Sequence, residues 1–75
     1  QMRLVRGVID LIVLEADGAT LVDYKTDHTG LEPESVRQRH GAQVRLYREA
    51  AQRAGLVVKR SLVYLFSTGN AVEIE

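Results

Sequence analysis

Ile9-Asp10-Leu11-Ile12-Val13-Leu14-Glu15-Ala16-Asp17-Gly18-Ala19-Thr20-Leu21-Val22-Asp23-Tyr24-Lys25 decides the fold, because it reads as two strands joined by a tight turn. The first strand is expected to run from Met2 to Leu14. Met2, Leu4, Val8, Asp10, Ile12 and Leu14 share one face, and Val5, Ile9, Leu11 and Val13 the other. Both faces are apolar from about Gly7 onward, the pattern of a strand covered on both sides. Asp17-Gly18 supplies the turn, since a type I′ turn needs positive φ at both central residues. Ala19 to Lys25 is the return strand.

Two residues do not fit that apolar setting. Asp10 lies between Ile9 and Leu11, and Asp23 lies in Leu21-Val22-Asp23-Tyr24-Lys25. A buried carboxylate must be paired, protonated or bound to a metal, since burying it alone costs several kcal/mol. With Asp17-Gly18 as a two-residue loop, Ala16 pairs with Ala19, Asp10 faces Lys25 and Ile12 faces Asp23. Asp10 and Asp23 then become diagonal neighbours on one face, roughly 7–8 Å apart at the backbone. Lys25, two residues beyond Asp23, falls on the same face. A loop longer by one residue would shift the parity and disperse the three groups.

Downstream, Thr26 to Glu32 reads as a polar loop, and Pro33 suits the first turn of a helix, where its missing N–H costs nothing. Ser35 to Ala54 is helical, with Val36, His40, Gln43/Val44, Tyr47, Ala51 and Ala54 recurring at three and four residues. Gly55 follows as a left-handed C′ residue. Leu56 to Ser67 is a third strand, Thr68-Gly69-Asn70 a turn, and Ala71 to Ile74 a fourth strand. The expected order is ββαββ, an α/β (α+β) unit without internal repeats.

Composition narrows the function. A chain of 75 residues is one domain or part of one. There is no cysteine, which excludes a disulfide framework, a thiolate zinc site and an iron–sulfur cluster, and suits a reducing cytoplasm. No apolar run approaches the roughly 18 residues of a membrane span, and the N-terminus lacks a signal peptide's apolar core. The abrupt opening into strand-like sequence reads as a start cut from within a longer polypeptide. Ten basic and ten acidic residues cancel. A stand-alone nucleic-acid binder carries a basic excess, so any DNA affinity is expected from other parts of a larger protein.

Two carboxylates and a lysine are what phosphodiester hydrolysis needs. Hard oxygen ligands suit Mg²⁺, which keeps several waters and takes only one or two protein carboxylates. Such an ion polarises the phosphate and acidifies a water, and an ammonium nearby neutralises developing charge.

Gly7-Val8-Ile9-Asp10-Leu11-Ile12, followed by Val22-Asp23-Tyr24-Lys25-Thr26-Asp27, resembles the nuclease domains of the PD-(D/E)XK superfamily. The RecB/AddA-type branch of helicase–nucleases is most similar. Its helical Gln-x-x-x-Tyr signature is matched by Gln43-Val44-Arg45-Leu46-Tyr47, and Val63 to Gly69 is similar to the closing strands of the AddA type. The resemblance covers nearly the whole chain. It implies a restriction-endonuclease-like mixed sheet, with residues 1–75 forming a partial domain that lacks the family's upstream helix. It also implies a DNA exonuclease of an ATP-dependent helicase–nuclease, acting in double-strand break repair and recombination in the bacterial cytoplasm. Mg²⁺, with Mn²⁺ as substitute, would be held by Asp10, Asp23 and the main-chain carbonyl of Tyr24, and Lys25 would be catalytic. Gln43 and Tyr47, at i and i+4 on one helical face, would contact DNA or brace the site. The implied partners are DNA, a helicase domain of the parent polypeptide and a second helicase–nuclease subunit. The bare 75-residue chain would be weak or inactive and self-associating.

Plainer readings stand beside these. Asp10 and Lys25 would also serve as a buried cross-strand salt bridge, and Gln43 and Tyr47 as ordinary helix-face residues. On its own, His40 reads as a packed histidine, His28 as a loop residue and the helical arginines as a solvated face. A degenerate nuclease fold acting as a non-catalytic module for DNA-end or protein binding is the alternative from another functional class.

Overall fold

The computed structural model describes the backbone of residues 2–5 and 9–75 and the side chains from Asp10 onward. Within those residues lie β1 (Met2–Val5), β2 (Ile9–Glu15), β3 (Gly18–Lys25), α1 (Pro33–Arg53), β4 (Val58–Leu65) and β5 (Asn70–Glu73). The five strands form one mixed sheet in the order β1-β2-β3-β4-β5. All neighbours are antiparallel except β3 and β4, which run parallel because α1 carries the chain back between them. This mixed sheet with a single crossover helix is the α/β architecture expected from the sequence.

Two details differ from the sequence reading. The single strand expected over Met2 to Leu14 is two strands, which turn back on each other with Met2 paired to Val13 and Arg3 to Ile12. Apolar content cannot distinguish a long strand from two short ones when no proline or Asn-Gly pair marks the break. Arg6, Gly7 and Val8, and the side chains of the first nine residues, lie outside the described residues. The facing expected for Met2, Leu4, Val5, Val8 and Ile9 therefore lies there too.

The β2–β3 turn is also displaced. Glu15 pairs with Gly18, which makes Ala16-Asp17 the loop instead of Asp17-Gly18. No non-glycine residue among those described has positive φ, so the turn is not type I′. The register moves by two: Leu11 pairs with Val22 and Ile12 with Leu21. A shift of two preserves parity, so every side chain keeps its face while its partner changes.

Helix α1 begins at Pro33 and ends in a Schellman motif. The N–H of Gly55 donates to Gln52 O at 3.0 Å and that of Leu56 to Ala51 O at 3.1 Å, with Gly55 at φ +97°. Of the stripe read from the sequence, Val36, Val44, Tyr47 and Ala51 face the sheet, whereas Ala54 is exposed just past the end of the helix. Val36 and Val44 are buried against Val63, Leu65, Val72 and Ile74. Tyr47 and Ala51 pack on a second cluster of Ile12, Ala19 and Leu21. Each such aliphatic burial stabilises by about 1.5–3 kcal/mol. Together these contacts seat the helix on one face of the sheet, chiefly over β4.

Candidate active site

The register that pairs Leu11 with Val22 places Asp10 opposite Asp23 one step further along. A two-residue Asp17-Gly18 loop would instead have set Asp10 opposite Lys25 and diagonal to Asp23. The two-residue shift exchanges those relations and brings the carboxylates closer. Asp10 is exposed, not enclosed as the apolar run around it implied. It lies near the start of β2, where its Oδ2 accepts the backbone N–H of Tyr24 at 2.8 Å. Within an extended residue N–H and C=O point the same way across the sheet. The Tyr24 carbonyl is therefore directed toward the β2 side as well, whereas the Lys25 carbonyl accepts Phe66 N–H at 3.1 Å on the β4 side.

Asp23 is the enclosed member, only 4% exposed. Its Oδ2 is buried and makes no hydrogen bond among the described residues. Lys25 Nζ stands 3.3 Å from that oxygen, near enough for an ion pair but off the hydrogen-bonding direction. Burial pushes the Asp23 carboxyl above its ordinary value of 3.8; the neighbouring Asp10 carboxyl acts in the same sense, and Lys25 pulls it back. Lys25 Nζ also donates to Gln43 Oε1 at 3.2 Å. Asp10, Asp23, Lys25 and Gln43 thus form one connected set. Tyr47 does not join it by a hydrogen bond, and is half-buried against the Ile12, Ala19 and Leu21 cluster beneath.

A second set lies alongside. One oxygen of Asp27, Oδ2, receives Arg39 Nη1 at 2.7 Å and meets His40 Nε2 at 2.8 Å. His40 is accordingly packed, and His28 is exposed. Reasoning from the sequence passes over Asp27. Its spacing is the available clue: Asp27 follows Lys25 by two residues, as His40 precedes Gln43 by three, so the two pairs share the same facing elements.

The donor set suits a hard divalent cation. Two facing carboxylates, one with a buried oxygen lacking a hydrogen bond, offer the one or two anionic ligands that Mg²⁺ takes while keeping its waters. Among the described residues no group of three acidic, histidine or cysteine side chains converges.

The profile of the PD-(D/E)XK nuclease superfamily matches residues 2–73. The chain is 43% identical over 75 residues to an ATP-dependent helicase/nuclease subunit of Desulforamulus reducens, covering 99% of this chain and 6% of that protein. It is 40% identical over 73 residues to the protein of the same name from Clostridium botulinum strain Hall, covering 96% of this chain and 6% of the relative. A Thermoanaerobacter relative, again of the same name, is 39% identical over 71 residues, 92% of this chain and 6% of its own. The chain thus spans only 6% of the length of the curated relatives it matches.

Proposed function

The chain belongs to the PD-(D/E)XK nuclease superfamily, and from that membership we propose that its Asp10–Asp23–Lys25 cluster hydrolyses DNA phosphodiesters with a divalent cation. The observation that carries this reading is the buried Asp23 Oδ2, which has no hydrogen bond among the described residues yet lies beside Lys25 and opposite Asp10. A carboxylate left this way costs stability unless something else occupies its lone pairs.

Asp10, Asp23 and the Tyr24 carbonyl would hold Mg²⁺, or Mn²⁺ in its place. Bound there, the ion would polarise the scissile phosphate and acidify a water. The chain's own contribution is positional and electrostatic. Lys25 brings an ammonium to the edge of the carboxylate pair, where it offsets the negative charge that grows on the phosphate oxygens. Gln43 restrains that ammonium by accepting a hydrogen bond from it. Tyr47 supports the β2–β3 strands from below.

Similarity to these helicase/nuclease proteins supports placing this domain in an ATP-dependent helicase–nuclease. In this reading a helicase domain of the same polypeptide and a second subunit deliver DNA ends to it during break repair and recombination in the bacterial cytoplasm. The balanced charge of the chain fits delivery by other domains. No helix among the described residues is long and apolar enough to cross a membrane.

The test is cleavage of linear DNA by the native polypeptide carrying this chain, with Mg²⁺ and with a chelator. Asp23→Asn is expected to abolish cleavage while ATP hydrolysis continues. DNA binding without metal-dependent cleavage in the unaltered protein would instead favour a non-catalytic module.

A further inference from the structure

Asp27 makes the densest set of polar contacts outside the carboxylate pair. Its Oδ2 takes Arg39 and His40, both from α1. Its backbone carbonyl accepts Ser67 Oγ at 2.7 Å, from the segment after β4. Arg39 Nη1 also donates to Thr29 O at 3.1 Å, and Gly30, at φ +64°, leaves space that a β-carbon would take from the Arg39 guanidinium. The loop after β3 is thereby closed around one arginine of the helix. His40 and Arg39 hold the Asp27 carboxyl below its ordinary range, so it is an anion at neutral pH.

Lys25 and Asp27 lie two residues apart, while their partners Gln43 and His40 lie three apart on α1. The two contacts are successive rungs between α1 and the chain that leaves the end of β3. Two residues span no more than about 7 Å even when extended and three helical residues about 4.5 Å, so fixing one rung restricts how far the other can slide. The Arg39–Asp27 pair is partly exposed, and exposed ion pairs contribute little to stability. What the clasp determines is the placement of the end of β3 against α1, and with it the Lys25 ammonium between Asp23 and Gln43.

Resting on the nuclease reading above, we propose that Asp27 is a positioning residue. By engaging Arg39 and His40 it fixes the chain immediately after Lys25, and acts on the reaction through Lys25. It touches neither cation nor phosphate.

The experiment uses the native polypeptide carrying this chain, linear DNA and saturating Mg²⁺. Asp27→Ala is expected to lower kcat by roughly tenfold to a hundredfold, the scale of a small misplacement of a catalytic group. KM for DNA should stay within about twofold, because no substrate contact is lost. Asp27→Asn, which retains an acceptor for both partners, should recover most of the rate. In a Lys25→Ala background, Asp27→Ala should add no further loss, since two residues acting through one group are not additive. Thermal melting of each variant identifies loss of folding. Should Asp27→Ala melt early, His40→Ala and Arg39→Ala each remove half of the clasp and should show the same kcat loss, smaller in size.

Asp27→Ala with unchanged kcat overturns the proposal, as does a loss of equal size in the Lys25→Ala background. Asp23→Asn run in parallel separates the two readings. If it cleaves like the unaltered protein, the nuclease reading fails; if it is inactive while Asp27→Ala is fully active, only the positioning role fails.

Discussion

Asp10 Oδ2 accepts the backbone N–H of Tyr24 at 2.8 Å, so a side chain of β2 serves a main-chain donor of β3 next to the site. The register sets the Asp23 carboxylate opposite Asp10, and the alternation of an extended strand directs the Tyr24 carbonyl toward β2 as well. Because one Asp10 oxygen is committed to an amide, that side chain is oriented before any ligand arrives. In the proposed reading the other oxygen would be left for a cation.

Asp10→Ala separates orientation from fold. Asp10 is exposed, and water can replace it on the Tyr24 amide, so the loss of stability should be about 1 kcal/mol or less. Divalent-cation affinity and DNA cleavage should both be lost. Calorimetric titration with Mn²⁺ together with thermal melting checks this, and a variant that binds and cuts normally contradicts the assignment of Asp10 as a ligand.

Asp23 sets a pH dependence. Its folded-state carboxyl is raised above 3.8, chiefly by burial. A raised acid contributes stability that is complete below the unfolded value and is lost as pH rises through the folded one. Asp23→Asn removes that dependence, so the variant should gain stability relative to the native chain as pH rises from 3.8 through the raised value. Asp17 and Asp27, both lowered, act in the opposite sense and are common to both proteins, so they cancel in the difference. A cation that binds the ionised pair must also displace the proton from Asp23. Mn²⁺ affinity should therefore fall as pH drops through the raised value, with proton release visible when titrations are repeated in buffers of different ionisation enthalpy. Affinity independent of pH would contradict this.

Lys25→Ala is expected to divide binding from turnover. Removing an ammonium 3.3 Å from Asp23 Oδ2 leaves cation affinity near neutral pH unchanged or higher, while cleavage should fall by about two orders of magnitude. Gln43→Ala should give a smaller loss, because it frees the ammonium without deleting it. Loss of metal binding with cleavage retained in Lys25→Ala would reverse these roles.

How far the sequence foretells this site follows from parity. Asp10, Asp23 and Lys25 fall on one face even when the turn is misplaced, because the true register differs by two and each side chain keeps its side of the sheet. Their cross-strand partners come out wrong for the same reason. The exposure of Asp10 is not legible, since local apolarity does not reveal which positions of a strand the helix leaves uncovered. Nor is the Asp27 clasp, which joins a loop to a helix through side chains and leaves no periodic trace.

The last prediction concerns the 75-residue chain by itself. Helix α1 buries one face of the sheet through Val36 and Val44. It is the one helix among the described residues. On the other face Tyr24, Tyr64 and Phe66 form an aromatic cluster, with the Tyr24 and Phe66 rings stacked at 5.2 Å and the Tyr64 ring edge-on to Phe66 at 5.4 Å. Phe66 remains 59% exposed, and Val22 and Leu62 on the same side are half-buried. An apolar surface of this kind on so small a core drives association. The purified chain is therefore expected to form a dimer, which added salt does not dissociate because the contact is apolar and salt screens only charge. Phe66→Ser should shift it toward monomer without lowering its melting temperature, since the exposed ring contributes little to the fold. Its DNA cleavage should be very slow in either form, as the relatives carry this segment within a far longer chain. Light scattering of both proteins at matched concentration, with a Mg²⁺ cleavage assay, decides the matter. A native chain that stays monomeric would show that the aromatic face does not self-associate.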